Sequence, residues 1–299
     1  MFLTEINNYI LFWVCILGLC LGSFYNVVIL RSLTGESIVF PASKCPKCQT
    51  PLKPWHNIPV FSYVFLSGKC AFCKEKISIQ YPLVELLTMF LFAASFLKFG
   101  LEWKTLFAIV ICSTLLIMTM TDIKEKLVDC NIAIGLTIFA FLFNGICYGT
   151  WLDSIFGLLA GVIIMEIIAR LGYLFSKDRA FGEADTFVAG ALGACFGLIG
   201  LFQVLLYTIF TAAIFTIPIF LYKQFKKSEK ITCILFILFT LSALVYKTLF
   251  QNWYTFSALI ITGLSLAFII LKNLRKDPEP MYLPLVPAFS IAALYFLFF

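Results

Sequence analysis

Long apolar runs alternate with short polar connections along the whole chain. Runs long enough to cross a bilayer as helix, on the order of 17–25 residues, fall at roughly 9–30, 83–99, 104–121, 130–149, 154–175, 186–202, 204–222, 231–250, 254–271 and 283–299. This pattern predicts an all-α polytopic membrane protein with about nine or ten transmembrane helices. The runs at 186–202 and 204–222 leave room only for a very short turn, placed around Gly200. The last run is short and interrupted by proline, which predicts partial insertion. One sizeable polar insertion breaks the series, so four parts are expected: a first span (1–30), a small cytoplasmic loop domain (31–82), a membrane core (83–222) and an apolar C-terminal extension (223–299).

Composition narrows this further. The 299 residues are 62% hydrophobic and 13% charged, which excludes a soluble globular domain. The first apolar run has no basic segment before it, so it reads as a span rather than a cleavable signal. Of the 22 lysines and arginines, 18 fall in alternate connections, at 31–82, 122–129, 176–183, 223–230 and 272–280. The positive-inside rule places that set in the cytoplasm and the N-terminus outside. The basic clusters at 223–230 and 272–276 read as topology determinants beside anionic headgroups. Membrane lipids are therefore the expected surroundings, and no nucleic-acid partner is expected.

The polar insertion carries C-P-K-C at Cys45–Cys48 and C-A-F-C at Cys70–Cys73, 21 residues apart. Two such pairs have the spacing of a four-thiolate zinc site. In a cytoplasmic loop thiols stay reduced, which argues against disulfides. Four thiolates close the coordination sphere, so the zinc would be structural, a staple for a loop with little core of its own. The other seven cysteines lie in or beside spans without ligand spacing. His56 is the single histidine and reads as a surface residue. Its isolation excludes chemistry that needs several imidazoles.

The remaining chemistry lies in the acids near spans. A central Asp costs about 2.5–3.5 kcal/mol in membrane insertion, so such residues are rare and usually functional. Asp122 closes one apolar run, in T-D-I-K-E-K-L-V-D, and Asp185 opens another, in F-G-E-A-D-T. The topology puts both on the cytoplasmic side. Brought within reach of one another, they would share a proton and work as an acid–base pair. An ion or proton pathway and simple helix capping remain open readings of the same two residues. Plainer accounts suit the others: Asp129 as an N-cap, Glu125 as solvated, Glu183 as a loop residue, Glu85 as favourable near a helix N-terminus, and Glu166 paired with Arg170 four residues on.

Four ordered stretches resemble the bifunctional type IV prepilin peptidases, leader peptidases with N-methyltransferase activity. They are L-G-S-F-Y-N-V-V-I-L-R at 21–31, the cysteine loop running on to Y-P-L-V-E at 81–85, the Asp122 motif and the Asp185 motif. The resemblance covers roughly residues 15–200. It implies an aspartic endopeptidase of the bacterial inner membrane, with Asp122 and Asp185 as its catalytic pair. Its substrates would be prepilin or pseudopilin preproteins, cut after a Gly where an apolar helix emerges on the cytoplasmic face. It also implies S-adenosylmethionine as methyl donor, with Asn26, Arg31 and Glu85 as methyl-transfer or structural candidates. Glu125, Asp129 and Glu183 would then attract a basic leader. The sequence departs from the family pattern at Ala184, where a glycine usually stands, at Val128 in place of a proline, and at Thr186 and Phe187 where a lysine is common. An ion-coupled transporter and a non-catalytic assembly factor of a pilus or secretion machine are the alternative readings.

Overall fold

The computed structural model describes residues 2–32, 35–176, 182–226, 234–242, 285–299 and a few positions between 257 and 265. Helix α1 (Phe2–Arg31) leads into the polar loop, which contains a 3-10 turn (Pro54–Asn57) and the short α2 (Phe61–Phe65). Then come α3 (Gln80–Phe99), α4 (Trp103–Glu125), α5 (Cys130–Tyr148), α6 (Trp151–Ser176), α7 (Glu183–Lys226) and, near the C-terminus, α8 (Val286–Phe298). Six of these are long and apolar enough to cross a membrane, which makes the chain a multi-pass membrane protein. Most of the apolar runs at 231–250 and 254–271 lies outside the described residues. Two compact units divide the chain. The first comprises Met1–Ile163, Glu183–Leu206 and Pro284–Phe299, and it holds every candidate site residue. The second comprises Ile164–Gly182 and Tyr207–Leu283. Within it, Arg170 Nε donates to Glu166 Oε1 at 2.8 Å, so the pair expected from spacing forms on α6.

Small residues let α1 and α3 approach closely in the first unit. Gly18 and Gly22 face α3 four residues apart. A Cβ built on Gly22 would lie 2.7 Å from the Glu85 Cα, and one on Gly18 would lie 2.7 Å from the Met89 Cα. Such G-x-x-x-G contacts let two backbones pack in lipid, where hydrophobic burial does not drive association. The motif is legible in L-G-L-C-L-G, although the sequence reading did not use it.

Helix α7 corrects the expected turn at Gly200. The break falls at Gly197, whose φ of 70° and ψ of −175° interrupt two merged helical lengths. At about 1.5 Å per residue, 44 residues of continuous helix would be about twice a hydrocarbon core of ~30 Å, so the interruption is expected somewhere in this stretch. Side chains meet polar groups at the break. Leu198 N–H, which would have bonded the Ala194 carbonyl, donates to Asp153 Oδ1 at 3.1 Å. The freed carbonyls of Ala194 and Cys195 accept from Asn144 Nδ2 at 3.0 and 3.1 Å. Side chains of α5 and α6 thus replace the missing rungs of α7.

The last apolar run forms a complete short helix. Pro287 stands in its opening turn, where its missing N–H costs no helical bond, so it starts the helix rather than interrupting it.

Glycine replacements test the close approach. Gly22→Ala is expected to lower thermal stability in detergent by about 2 kcal/mol or more, as overpacking does. Gly135→Ala, where an added Cβ meets nothing within 4 Å, should be neutral or stabilising by roughly 0.5–1 kcal/mol. Equal melting temperatures for the two variants would contradict the packing described.

Candidate active site and metal centre

The four cysteines of the loop meet. Their sulfurs all lie within 4.8 Å of one another, and Cys45 Sγ and Cys73 Sγ are 3.9 Å apart. A tetrahedral zinc with Zn–S bonds of ~2.3 Å places its sulfurs ~3.8 Å apart, so the donor set fits that ion. Each pair forms the same knuckle. Cys45 N–H donates to the Thr50 carbonyl at 3.0 Å, and Cys70 N–H to the Glu75 carbonyl at 2.8 Å. The residue after each second cysteine turns left-handed, Gln49 at φ 57° and Lys74 at φ 60°. Hydrogen bonds from the side chain and backbone of Thr50 pull the Cys48 thiol down to about 6. At Cys73 the Glu75 amide acts downward, but desolvation and the neighbouring sulfurs push the thiol up to about 11. That thiol therefore stays protonated near neutral pH unless a cation displaces its proton. His56, expected at the surface, is half-buried, with its ring edge-on to Phe72 of the second knuckle at 5.4 Å.

The loop is fastened to the membrane helices by polar residues of α1 and α3. Glu85 is 6% exposed, and its Oε2 accepts from Val60 N–H at 2.7 Å. Val60 has φ 61°, a conformation that a β-branched residue seldom adopts. The carboxylate therefore holds a strained loop residue in place. Asn26 Nδ2 donates to the carbonyls of Gly22 and Tyr81 at 3.3 and 3.1 Å, tying α1 to α3. Its Oδ1 is buried with no partner among the described residues. Arg31 donates to the carbonyls of Ser37 and Pro41, each at 2.8 Å, and so holds the start of the loop.

Asp122 lies in the last turns of α4 and is 4% exposed. Its Oδ2 accepts from Val286 N–H at 3.2 Å. Asp185 is in the first turn of α7, where the helix dipole favours a carboxylate, and is 9% exposed. Ala184 is helical there and needs no left-handed conformation, so the departure from glycine is tolerated. The adjacent Thr186 Oγ1 is buried with no partner among the described residues, a polar group that the motif reading passed over. Asp129 caps α5 as expected, accepting from Asn131 N–H at 2.9 Å. Glu125 is exposed at the end of α4. Glu183 lies within electrostatic range of Cys130, the residue after Asp129, which brings the start of α7 toward the start of α5.

A multi-pass helical membrane protein with two buried aspartates at helix ends and a four-thiolate loop is a recognisable class, and comparisons with known proteins agree. Residues 16–99 match the bacterial peptidase A24 N-terminal domain, and residues 109–217 match the type IV leader peptidase family. A prepilin leader peptidase/N-methyltransferase of Neisseria gonorrhoeae is 32% identical over 210 residues, covering 61% of this chain and 73% of that protein. The Klebsiella pneumoniae protein of the same name is 33% identical over 196 residues, covering 63% and 86%. The Bacillus subtilis one is 37% identical over 157 residues, covering 52% and 63%. The chain belongs to the type IV leader peptidase family and is a membrane peptidase of that kind. No solved structure matches it significantly. The transporter alternative is not favoured, and Glu166, one of the acids it would use, is paired with Arg170.

Purified protein is expected to carry about one zinc per chain, measured by chelator titration after thiol modification. Zinc needs thiolates, and binding releases protons. Its affinity should therefore fall as pH drops through the region of about 6 where Cys48 protonates. Protein that is folded but binds no metal at neutral pH would exclude the zinc assignment.

Proposed function

We propose that this protein cleaves the leader of prepilin-like preproteins with Asp122 and Asp185 as an aspartic pair. The observation that carries the reading is the burial of two carboxylates, Asp122 and Asp185, at helix ends within one compact unit of a family peptidase. The ionised aspartate takes a proton from water as the water oxygen attacks the scissile carbonyl. The protonated one donates to the carbonyl oxygen. Collapse of the tetrahedral intermediate breaks the C–N bond and returns a proton to the leaving amine. A substrate with a basic leader before an apolar helix suits this setting. Its helix stays in the membrane while the leader meets Glu125, Asp129 and Glu183. On this reading the catalytic face is cytoplasmic, the N-terminus is outside and the host membrane is the bacterial inner membrane.

Methylation of the new N-terminus is the second activity, taken from the names of the relatives. S-adenosylmethionine supplies a methyl group to a neutral amine and presents an ammonium and hydroxyls that need acceptors. Asn26 Oδ1 is a buried acceptor without a donor among the described residues, and Glu85 is the buried carboxylate near it. These two residues are the ones we assign to the methyl donor, with Arg31 shaping the loop beside them.

A purified preprotein-cleavage assay read by mass spectrometry tests both parts. Asp122→Asn and Asp185→Asn should each lower cleavage by roughly 10²–10⁴-fold, the contribution of general acid–base catalysis. With S-adenosylmethionine, wild type should give a product one methyl group heavier, and Asn26→Ala should lose methylation while retaining cleavage. Wild-type cleavage by either aspartate variant would overturn the assignment.

A further inference from the structure

The matched family region ends at residue 217, and helix α8 lies well beyond it. It nevertheless reaches Asp122. The Val286–Asp122 hydrogen bond joins residues 164 positions apart in the chain. Further along, Thr119 and Ser290 share a hydroxyl hydrogen bond at 2.6 Å, and Ser290 Oγ donates to the Leu115 carbonyl at 3.4 Å. Rising numbers on α8 meet falling numbers on α4, so the two helices are antiparallel. Val286, Phe289 and Ala293 are fully buried. At the other end Lys98 Nζ donates to the Phe298 carbonyl, and the Phe196 and Phe296 rings meet edge-on at 5.1 Å. Anchors at both ends fix the register of α8 against the aspartate.

The donor at that position follows from helix geometry. The first amides of a helix have no acceptor within it. Pro287 has no N–H to offer, and the Val286 amide meets the carboxylate at the opening of α8. Asp122 thus occupies the place of an N-cap side chain, but it is supplied by another helix. The partial positive charge of the α8 N-terminus adds to the attraction. Oδ2 is held in this way, while Oδ1 carries no hydrogen bond to any described residue.

We propose that Val286 is a positioning residue for the catalytic Asp122, its backbone N–H holding one carboxylate oxygen so that the other faces the attacking water. The proposal rests on the reading of Asp122 as catalytic. It makes the C-terminal helix part of the catalytic apparatus rather than a further membrane anchor. Specificity is not involved: a substrate should bind as before and react more slowly when the N–H is lost.

The test uses full-length protein and a model preprotein, with kcat and KM measured separately. Val286→Pro removes the donor at a helix position that accepts proline, and Val286→Ala keeps it. Val286→Pro should lower kcat roughly tenfold to hundredfold, the range for losing a hydrogen bond to a charged group. Its KM should stay within about threefold of wild type, and Val286→Ala should stay within about threefold in both constants. Should the proline variant lack a wild-type melting transition or bound zinc, α-hydroxyvaline at position 286 decides the matter, because its ester removes the same N–H without a ring. Wild-type kcat after loss of the N–H overturns the proposal, as does a Val286→Ala variant as impaired as the variant without the donor. Asp122→Asn, measured alongside, separates the two failures: an active Asp122→Asn enzyme refutes the catalytic reading itself.

Discussion

A backbone amide inside a membrane protein has no water to turn to when its helical partner is missing, and an unmet one costs several kcal/mol. This constraint governs the arrangement of the polar residues here. Asp153, Asp129, Glu85 and Asp122 each receive a backbone N–H that regular helix geometry leaves over. Asp153 takes Leu198 at the break in α7, and Asp129 takes Asn131 at the start of α5. Glu85 takes Val60 in the loop, and Asp122 takes Val286 at the start of α8. At the two buried acids, Glu85 and Asp122, the cost of burying a carboxylate and the cost of an unpaired amide offset one another.

The same exchange links the parts of the first unit. The loop has little apolar core, and its shape rests on the four-sulfur cluster and two matching knuckles. Its attachment to the helices rests on Glu85, Asn26 and Arg31. Glu85 can serve because Gly22 lets α1 pass against its backbone. A glycine, a buried acid and a strained valine thus form one joint between the loop and the membrane helices. The residues assigned to methyl transfer lie at that joint, so binding there and loop position are physically coupled.

Much of the architecture was legible because a bilayer imposes a strong length and polarity rule. The spans, the cysteine set, the Asp129 cap and the Glu166–Arg170 pair all follow from local spacing. The position of the α7 break did not follow, because several glycines in that stretch can turn. Gly197 was chosen by Asp153 and Asn144, which come from other helices. His56 looked like a surface residue because nothing nearby in the sequence announces Phe72 as its neighbour. The Thr186 hydroxyl, buried without a partner among the described residues, had no signal beyond its place beside Asp185.

The sequence by itself determined the class of protein and the clustering of the four cysteines, and it singled out two aspartates that lie buried at helix ends, since each depends on residue type at short spacing. Tertiary structure alone decided which amides Asp153, Glu85 and Asp122 receive. It also decided that a helix 164 residues distant in the chain meets Asp122. Such pairings depend on antiparallel helix register, which is fixed by the summed contacts of whole faces, and no local pattern encodes that sum.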